Sequence, residues 1–294
     1  MRVAHVTDIH VMLPPRPRQL LGKRLLGTAN LYLGGRKSHF TRAAQEALVA
    51  AVTAQAPDAV VCTGDLTAQG TPEEFEAARA LLGPLFSAQP SVVIPGNHDT
   101  YTRDAVSSGA LEHFFGEWIG SGPWPRLHLV GDDLAVVALQ VCEPRLDSAG
   151  RVPDDQLARI GDVLTDASIG DRALFVALHY PLRGRRGEPY GPATRALDGA
   201  RRLEGALGPH AGSIAAILHG HEHHGYRTSV DLGDVSVPIL NPGAGGYAHL
   251  PAKRRTAHFT VYEVGRDGLG AIERFAFDGE RFEPEAGGAW ATGG

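Results

Sequence analysis

The sequence predicts an α/β (α+β) fold, a four-layer sandwich of two mixed β-sheets flanked by helices. Three observations carry that expectation. Short apolar strands alternate with amphipathic helices early in the chain, strand–turn–strand patterns dominate its last third, and an apolar fraction of 43% can fill a sizeable core. No internal repeat or linker-like break divides the 294 residues, so 1–284 read as one domain, with a glycine-rich, flexible tail at 285–294.

Residues 3–7 form the first strand. A helix over 41–55 follows, with Thr41 as N-cap and Ala44, Leu48, Ala51 and Val52 as its apolar stripe. Residues 58–62 are a buried strand stopping at Gly64-Asp65. Thr71-Pro72-Glu73-Glu74 starts a helix with a cap, a first-turn proline and acids against the dipole; Gly83-Pro84 should end it near Leu82. Residues 91–95 are the third strand. A hairpin joins 127–130 to 134–142 across Gly131-Asp132-Asp133, and 153–164 is a helix. Strands at 173–178 and 213–218 end on His179 and Gly220-His221, and shorter ones follow at 225–231, 235–240, 257–264 and 271–277.

The net charge of −5 argues against a general nucleic-acid binder, so no stable nucleic-acid complex is expected. Cys62 and Cys142 lie far apart in apolar runs and read as buried thiols. Asp8 and His10 interrupt any signal-peptide core, and no apolar run reaches the roughly 18 residues of a membrane span. The expected location is cytoplasmic.

The chemistry is concentrated at strand ends. Asp8-Ile9-His10, Gly64-Asp65, Gly96-Asn97-His98-Asp99, His179 and Gly220-His221-Glu222-His223 supply carboxylates, an amide oxygen and imidazoles, each where a strand runs into a loop. Spacing of two should put Asp8 and His10, and His221 and His223, on common sides. Glycines at 64, 96 and 220 let the backbone approach closely. Mixed oxygen and nitrogen donors suit Mn, Fe, Zn or Co. Singly, each residue would be an ordinary turn, cap or core residue; all of them in this order are not a coincidence.

These motifs resemble those of the calcineurin-like metallophosphoesterase family (D-x-H, GD, GNH(D/E), H, GHxH), over about residues 1–245. The Gly64-Asp65-Leu66-Thr67 context is similar to its bacterial phosphodiesterase branches. The resemblance implies two metal ions, one on Asp8, His10 and His223 and the other on Asn97, His179 and His221, bridged by Asp65. It implies that His98 is an acid or charge stabiliser at the phosphate, oriented by Asp99. The implied reaction is hydrolysis of a phosphate ester by a metal-bound hydroxide. The favoured substrate is a small anionic diester, a cyclic nucleotide or glycerophosphodiester. A pyrophosphohydrolase of a lipid-linked nucleotide such as UDP-diacylglucosamine is the alternative, and a non-catalytic scaffold the third reading. Oligomeric state is left open.

Tyr180, Arg183 and His224 are candidates for substrate contact. His5 is expected to be packed or paired, and His219 to stand behind the ligands.

Residues 9–45 contain no acid but seven of the 28 basic residues (Arg16, Arg18, Lys23, Arg24, Arg36, Lys37 and Arg42), leaving 21 basic against 33 acidic residues elsewhere. An insertion at about 11–40 is therefore expected to form a lid of short helical turns, arginines toward solvent or substrate. Its glycines argue against a continuous helix. Its leucines, Leu20, Leu21, Leu25, Leu26, Leu31 and Leu33, raise peripheral membrane or lipid contact as an alternative use.

Overall fold

Parallel strands send their carboxyl ends to one edge of a sheet, and this property positions the site. In the computed structural model, which describes residues 1–20, 22–32 and 38–285, β1 (Arg2–Val6), β2 (Ala59–Cys62) and β3 (Ser91–Val93) run parallel in one six-stranded sheet. β12 (His258–Gly265), β13 (Gly268–Phe277) and β14 (Phe282–Pro284) extend it antiparallel beyond β1. The second six-stranded sheet centres on parallel β5 (Leu134–Ala138), β7 (Ala173–Ala177) and β9 (Ile214–Leu218). β4 (Arg126–Val130) pairs antiparallel with β5 at one edge. At the other, β11 (Val235–Asn241) lies parallel to β9 and β10 (Tyr226–Leu232) antiparallel to β11. A small ladder joins β6 (Gly150–Arg151) and β8 (Leu197–Asp198).

Alternation along the strands divides the core into three layers. Val3, Ala59, Val61 and Val92 of the first sheet meet Val136, Phe175, Ala216 and Leu218 of the second. Ala4, Val6, Val60 and Cys62 face outward onto α2 (Arg42–Ala54), α3 (Pro72–Ala88) and α5 (Ala110–Ile119). Leu174, Val176 and Ile217 face the other way, onto α6 (Asp154–Leu164) and α7 (Ala200–Leu207). The four layers are those the sequence predicts. Both cysteines are buried and free. Among the described residues no helix is long and apolar enough to cross a membrane.

Two helices depart from expectation. α3 runs through Gly83-Pro84 to Ala88. An interior proline costs about 3 kcal/mol. Leu85 and Phe86, both buried on the far side of it, recover about 1.5–3 kcal/mol each, so packing wins. In the insertion, α1 (Lys23–Tyr32) is one continuous helix despite Gly27, preceded by a short 3-10 turn, Pro17–Gln19. Its described cations divide: Arg16 and Arg18 are exposed, as expected, whereas Arg24 is buried. Arg16 pairs with Glu73 at 2.9 Å, and Arg24, 3% exposed, pairs with Asp104 on α4 (Arg103–Ser107). Leu21, Leu33, Gly34, Gly35, Arg36, Lys37 and all but the first residue of the expected tail at 285–294 lie outside the described residues.

Candidate metal centre

Each motif sits two to four residues beyond a strand: Asp8 and His10 after β1, Asp65 after β2, Asn97 after β3, His179 after β7 and His221 after β9. Parallel pairing gathers the first four onto one sheet edge and the last two onto the other. Two cross-sheet hydrogen bonds lock the edges together. His179 Nδ1–H donates to the Thr63 carbonyl at 2.7 Å, and the His221 N–H donates to Asp8 Oδ2 at 3.0 Å.

Local backbone shapes the donor set. Asp8 (φ 51°), His10 (φ 53°), Asp65 (φ 56°) and His221 (φ 67°) are all left-handed, although none is glycine. The shared direction of Asp8 and His10 thus comes from a turned backbone rather than from strand alternation, with Ile9 between them in the core. Such conformations cost of order 1–3 kcal/mol each and cluster at functional sites. The glycines are needed for proximity: a Cβ on Gly96 would stand 2.1 Å from Asp65 Oδ1, and one on Gly220 2.1 Å from Thr7 Oγ1.

The donor atoms form two groups. Ligand atoms of Asp8, His10, Asp65 and His223 all lie within 4.8 Å of one another. Asp8 Oδ1 is 3.7 Å from His10 Nε2 and 3.4 Å from His223 Nε2, and Asp65 Oδ2 is 3.5 Å from His10 Nε2. In the second group Asp65 Oδ2 lies 3.5 Å from His179 Nε2, while Asn97 Oδ1 lies 3.1 Å from that nitrogen and 2.9 Å from His221 Nδ1. Ligands held about 2.1 Å from an ion in tetrahedral or octahedral geometry are about 3.0–3.4 Å apart. Both groups are therefore close to that size. Among the described residues Asp8 Oδ1 and His10 Nε2, both in the first donor group, are buried without hydrogen-bond partners, a cost that a cation between them would offset.

Charge is equally unbalanced. Burial alone would raise the pKa of Asp8, but the His10 and His223 imidazoles beside it outweigh that and hold the carboxyl well below the usual range. Burial likewise opposes ionisation of Asp65, and His179 and His98 beside it win. On His179, burial disfavours the imidazolium, but Asp65 lifts its pKa to about 9. Two buried carboxylates require positive charge beside them. A metal ion supplies it while leaving the imidazoles neutral as ligands.

His98 and Asp99 diverge, contrary to the expected pairing. The Asp99 carboxylate accepts from Leu66 N–H, Thr67 N–H and hydroxyl, and Gly96 N–H, so it ties the second motif loop to the third. The His98 ring is held instead by the Ala68 carbonyl, 2.6 Å from Nδ1, while its backbone N–H donates to Asp65 Oδ1 at 2.8 Å. Burial lowers the His98 pKa to about 4.

The three expected substrate contacts differ in their surroundings. Tyr180 is fully buried, its ring 4.5 Å from that of His221, so it backs that imidazole from the core. Arg183 is committed to Glu204 on α7 through both terminal nitrogens. His224 is exposed, 6.0 Å from the Tyr247 ring, and touches none of the donor atoms. His5 is paired as expected, between the Tyr262 and Thr63 hydroxyls at 2.9 Å each. His219 is buried behind the ligands, with Nδ1 2.8 Å from the Gly220 carbonyl.

Several supporting residues carry no sequence signal because they act across the chain. Gln45 Nε2 donates to the carbonyls of Ile9 and His10. Asn241 Nδ2 donates to the Glu222 carbonyl at 2.7 Å. The Tyr247 hydroxyl lies 2.7 Å from His223 Nδ1, and Phe40 packs 4.2 Å from the His10 ring.

Comparison with known proteins agrees with this geometry. The family model described as calcineurin-like phosphoesterase matches residues 1–225. The glycerophosphodiester phosphodiesterase GpdQ of Enterobacter lignolyticus is 32% identical over 175 residues, 57% of this chain and 56% of that protein. A cAMP/cGMP dual specificity phosphodiesterase of Mycobacterium tuberculosis is 30% identical over 192 residues, 62% of this chain and 52% of that one. The chain thus spans about half the length of the curated relatives it matches. A dimetal phosphatase from Danio rerio shares the fold with a TM-score of 0.59 at 13% identity, over 96% of this chain and 98% of that one. On the family match over most of its length, the chain belongs to the calcineurin-like phosphoesterase family.

Proposed function

We propose that the chain is a dinuclear metal-dependent phosphodiesterase acting on a small anionic diester of the glycerophosphodiester or cyclic-nucleotide class. The observation that carries this reading is the sharing of Asp65, whose Oδ2 stands 3.5 Å from both His10 Nε2 and His179 Nε2 and so belongs to two donor groups. Asp8, His10, His223 and Asp65 would hold one ion; Asp65, Asn97, His179 and His221 would hold the other. The mixed donors suit Mn, Fe or Zn. When bound, such a pair neutralises charge on phosphoryl oxygens and lowers the pKa of water toward neutrality.

The chain's own residues then bind and move protons. With Nδ1–H fixed on the Ala68 carbonyl, Nε2 is the nitrogen of His98 left for the substrate. The low pKa of the ring makes a proton on Nε2 a strong acid, retained only beside an anion such as a phosphate ester and readily passed to a leaving oxygen. The left-handed turns at Asp8, His10 and Asp65 keep the donors aimed inward before substrate arrives. The diester class is supported by the names of the two curated relatives.

The test is hydrolysis of bis(p-nitrophenyl) phosphate against p-nitrophenyl phosphate, after chelation and readdition of Mn, Fe or Zn. Metal-dependent cleavage favouring the diester is expected. Preference for the monoester would reassign the chain to a phosphatase, and no cleavage with any metal would remove the small-diester reading and leave the lipid-linked pyrophosphate or scaffold readings. Leu25 and Leu26, 52% and 70% exposed on α1, favour a second reading, hydrolysis of a lipid-linked pyrophosphate. Activity that requires detergent or liposomes would select it.

A further inference from the structure

The basic insertion is not accounted for by metal binding, and its contacts converge on a single side chain. The His98 ring is held by the Ala68 carbonyl at 2.6 Å from Nδ1, by the His10 ring edge-on at 4.6 Å between centroids, and by the Tyr101 ring, stacked on it at 5.4 Å between centroids and 23° between planes. Helix α1 grips the first and the last. Arg24 donates from Nε to the Gln69 carbonyl and from Nη2 to the Gly70 carbonyl, each at 3.2 Å, and so clamps the backbone immediately after Ala68. Thr28 adds a side-chain hydrogen bond to Gln69. On the other support, Lys23 Nζ lies 4.1 Å from the Tyr101 ring centroid and donates to the Asp147 carbonyl at 3.4 Å. Gly27 is so close that a Cβ there would meet the Tyr101 hydroxyl at 2.3 Å.

Neighbouring residues of one helix thus hold two of the groups that hold His98, the Ala68 carbonyl and the Tyr101 ring. A substrate lid would turn its cations toward an incoming anion. Here Arg24 is buried against carbonyl oxygens and Asp104, and Lys23 is occupied by a ring and a carbonyl. We infer that α1 is a positioning element for His98, acting through Tyr101 and the backbone at 68–70. The inference rests on the role proposed for His98 above. Small displacements of a reacting group are costly: a shift of about 1 Å far from the chemistry lowers rates by up to about 100-fold.

Gly27→Ala tests this without removing any charge or any contacting side chain. Alanine favours helix over glycine, so α1 itself is not weakened, but the new methyl displaces Tyr101. The expected result on bis(p-nitrophenyl) phosphate is a kcat lower by about 10-fold to 100-fold, with KM and metal content unchanged. Relative to Tyr101→Phe alone, the combination with Gly27→Ala should cost little kcat, because the nearest remaining atom, Cζ, lies 3.2 Å from that Cβ and needs to give by only a few tenths of an ångström. In a His98→Ala background Gly27→Ala should cost nothing further. A raised KM at constant kcat would make α1 a substrate lid and overturn the inference. An equal loss in the His98→Ala background would overturn it too, since the effect would then bypass His98. Wild-type kcat in His98→Ala alone is a separate failure, of the role proposed for that histidine.

Discussion

The Tyr247 hydroxyl stands 2.7 Å from Nδ1 of His223, whose other nitrogen, Nε2, is 3.4 Å from Asp8 Oδ1. One hydrogen bond therefore fixes which nitrogen of His223 is offered to a metal and at what angle. Partners of this kind contribute about 10–100-fold in metal affinity. Tyr247→Phe should keep the ring packed on Phe40, 4.9 Å away between centroids, and lose only the hydroxyl. Chelator competition should show one ion bound more weakly by about that factor. Unchanged affinity for both ions would place His223 outside the donor set.

Arg183 should matter for stability and not for catalysis. Its guanidinium and the Glu204 carboxylate are mostly shielded from solvent, and both terminal nitrogens are engaged. Removing one partner of a buried pair costs about 3–5 kcal/mol, and residual exposure here should reduce that to about 2–3 kcal/mol. Denaturant unfolding of Arg183→Ala should show this loss, with kcat/KM unchanged. A raised KM at unaltered stability would return Arg183 to the substrate.

Acid should weaken the fold through histidines buried in their neutral form. Burial pushes the His128 pKa from 6.5 down to about 4, with Arg126 adding to it, and pushes His5 down to about 3. Both folded values lie below the unfolded one, so their contribution is complete above pH 6.5 and is lost as pH falls toward 4 and below. Each group contributes a slope of about 1.4 kcal/mol per pH unit in that window. Unfolding free energies measured from pH 7 to 4.5 should fall less steeply in His128→Leu than in the parent chain, by about one such slope. Parallel curves would show that His128 protonates freely in the fold.

The strand ends were legible because each motif is local: an apolar run, a glycine and a donor residue lie within a few positions of one another. The helices were less so. α5 and α7 begin after Gly109 and Gly199, both left-handed and without a side-chain cap, so no start signal marks them. α3 outran Pro84 because burial of Leu85 and Phe86 is a tertiary effect. Asp99 misleads for the opposite reason: it is next to His98 in sequence, but a turn sends its carboxylate to Leu66, Thr67 and Gly96. Glycines in 22–35 suggested broken turns, whereas Gly27 is there for the approach of Tyr101.

Asp65→Asn tests the central claim most directly, because Asp65 is the one side chain placed in both donor groups. Metal content and bis(p-nitrophenyl) phosphate turnover would be measured on the same preparation, beside the parent chain. Two ions per parent chain are expected, with loss of bound metal and of most turnover in the variant. Full metal content with parental turnover in Asp65→Asn would contradict a shared carboxylate and, with it, the dinuclear site.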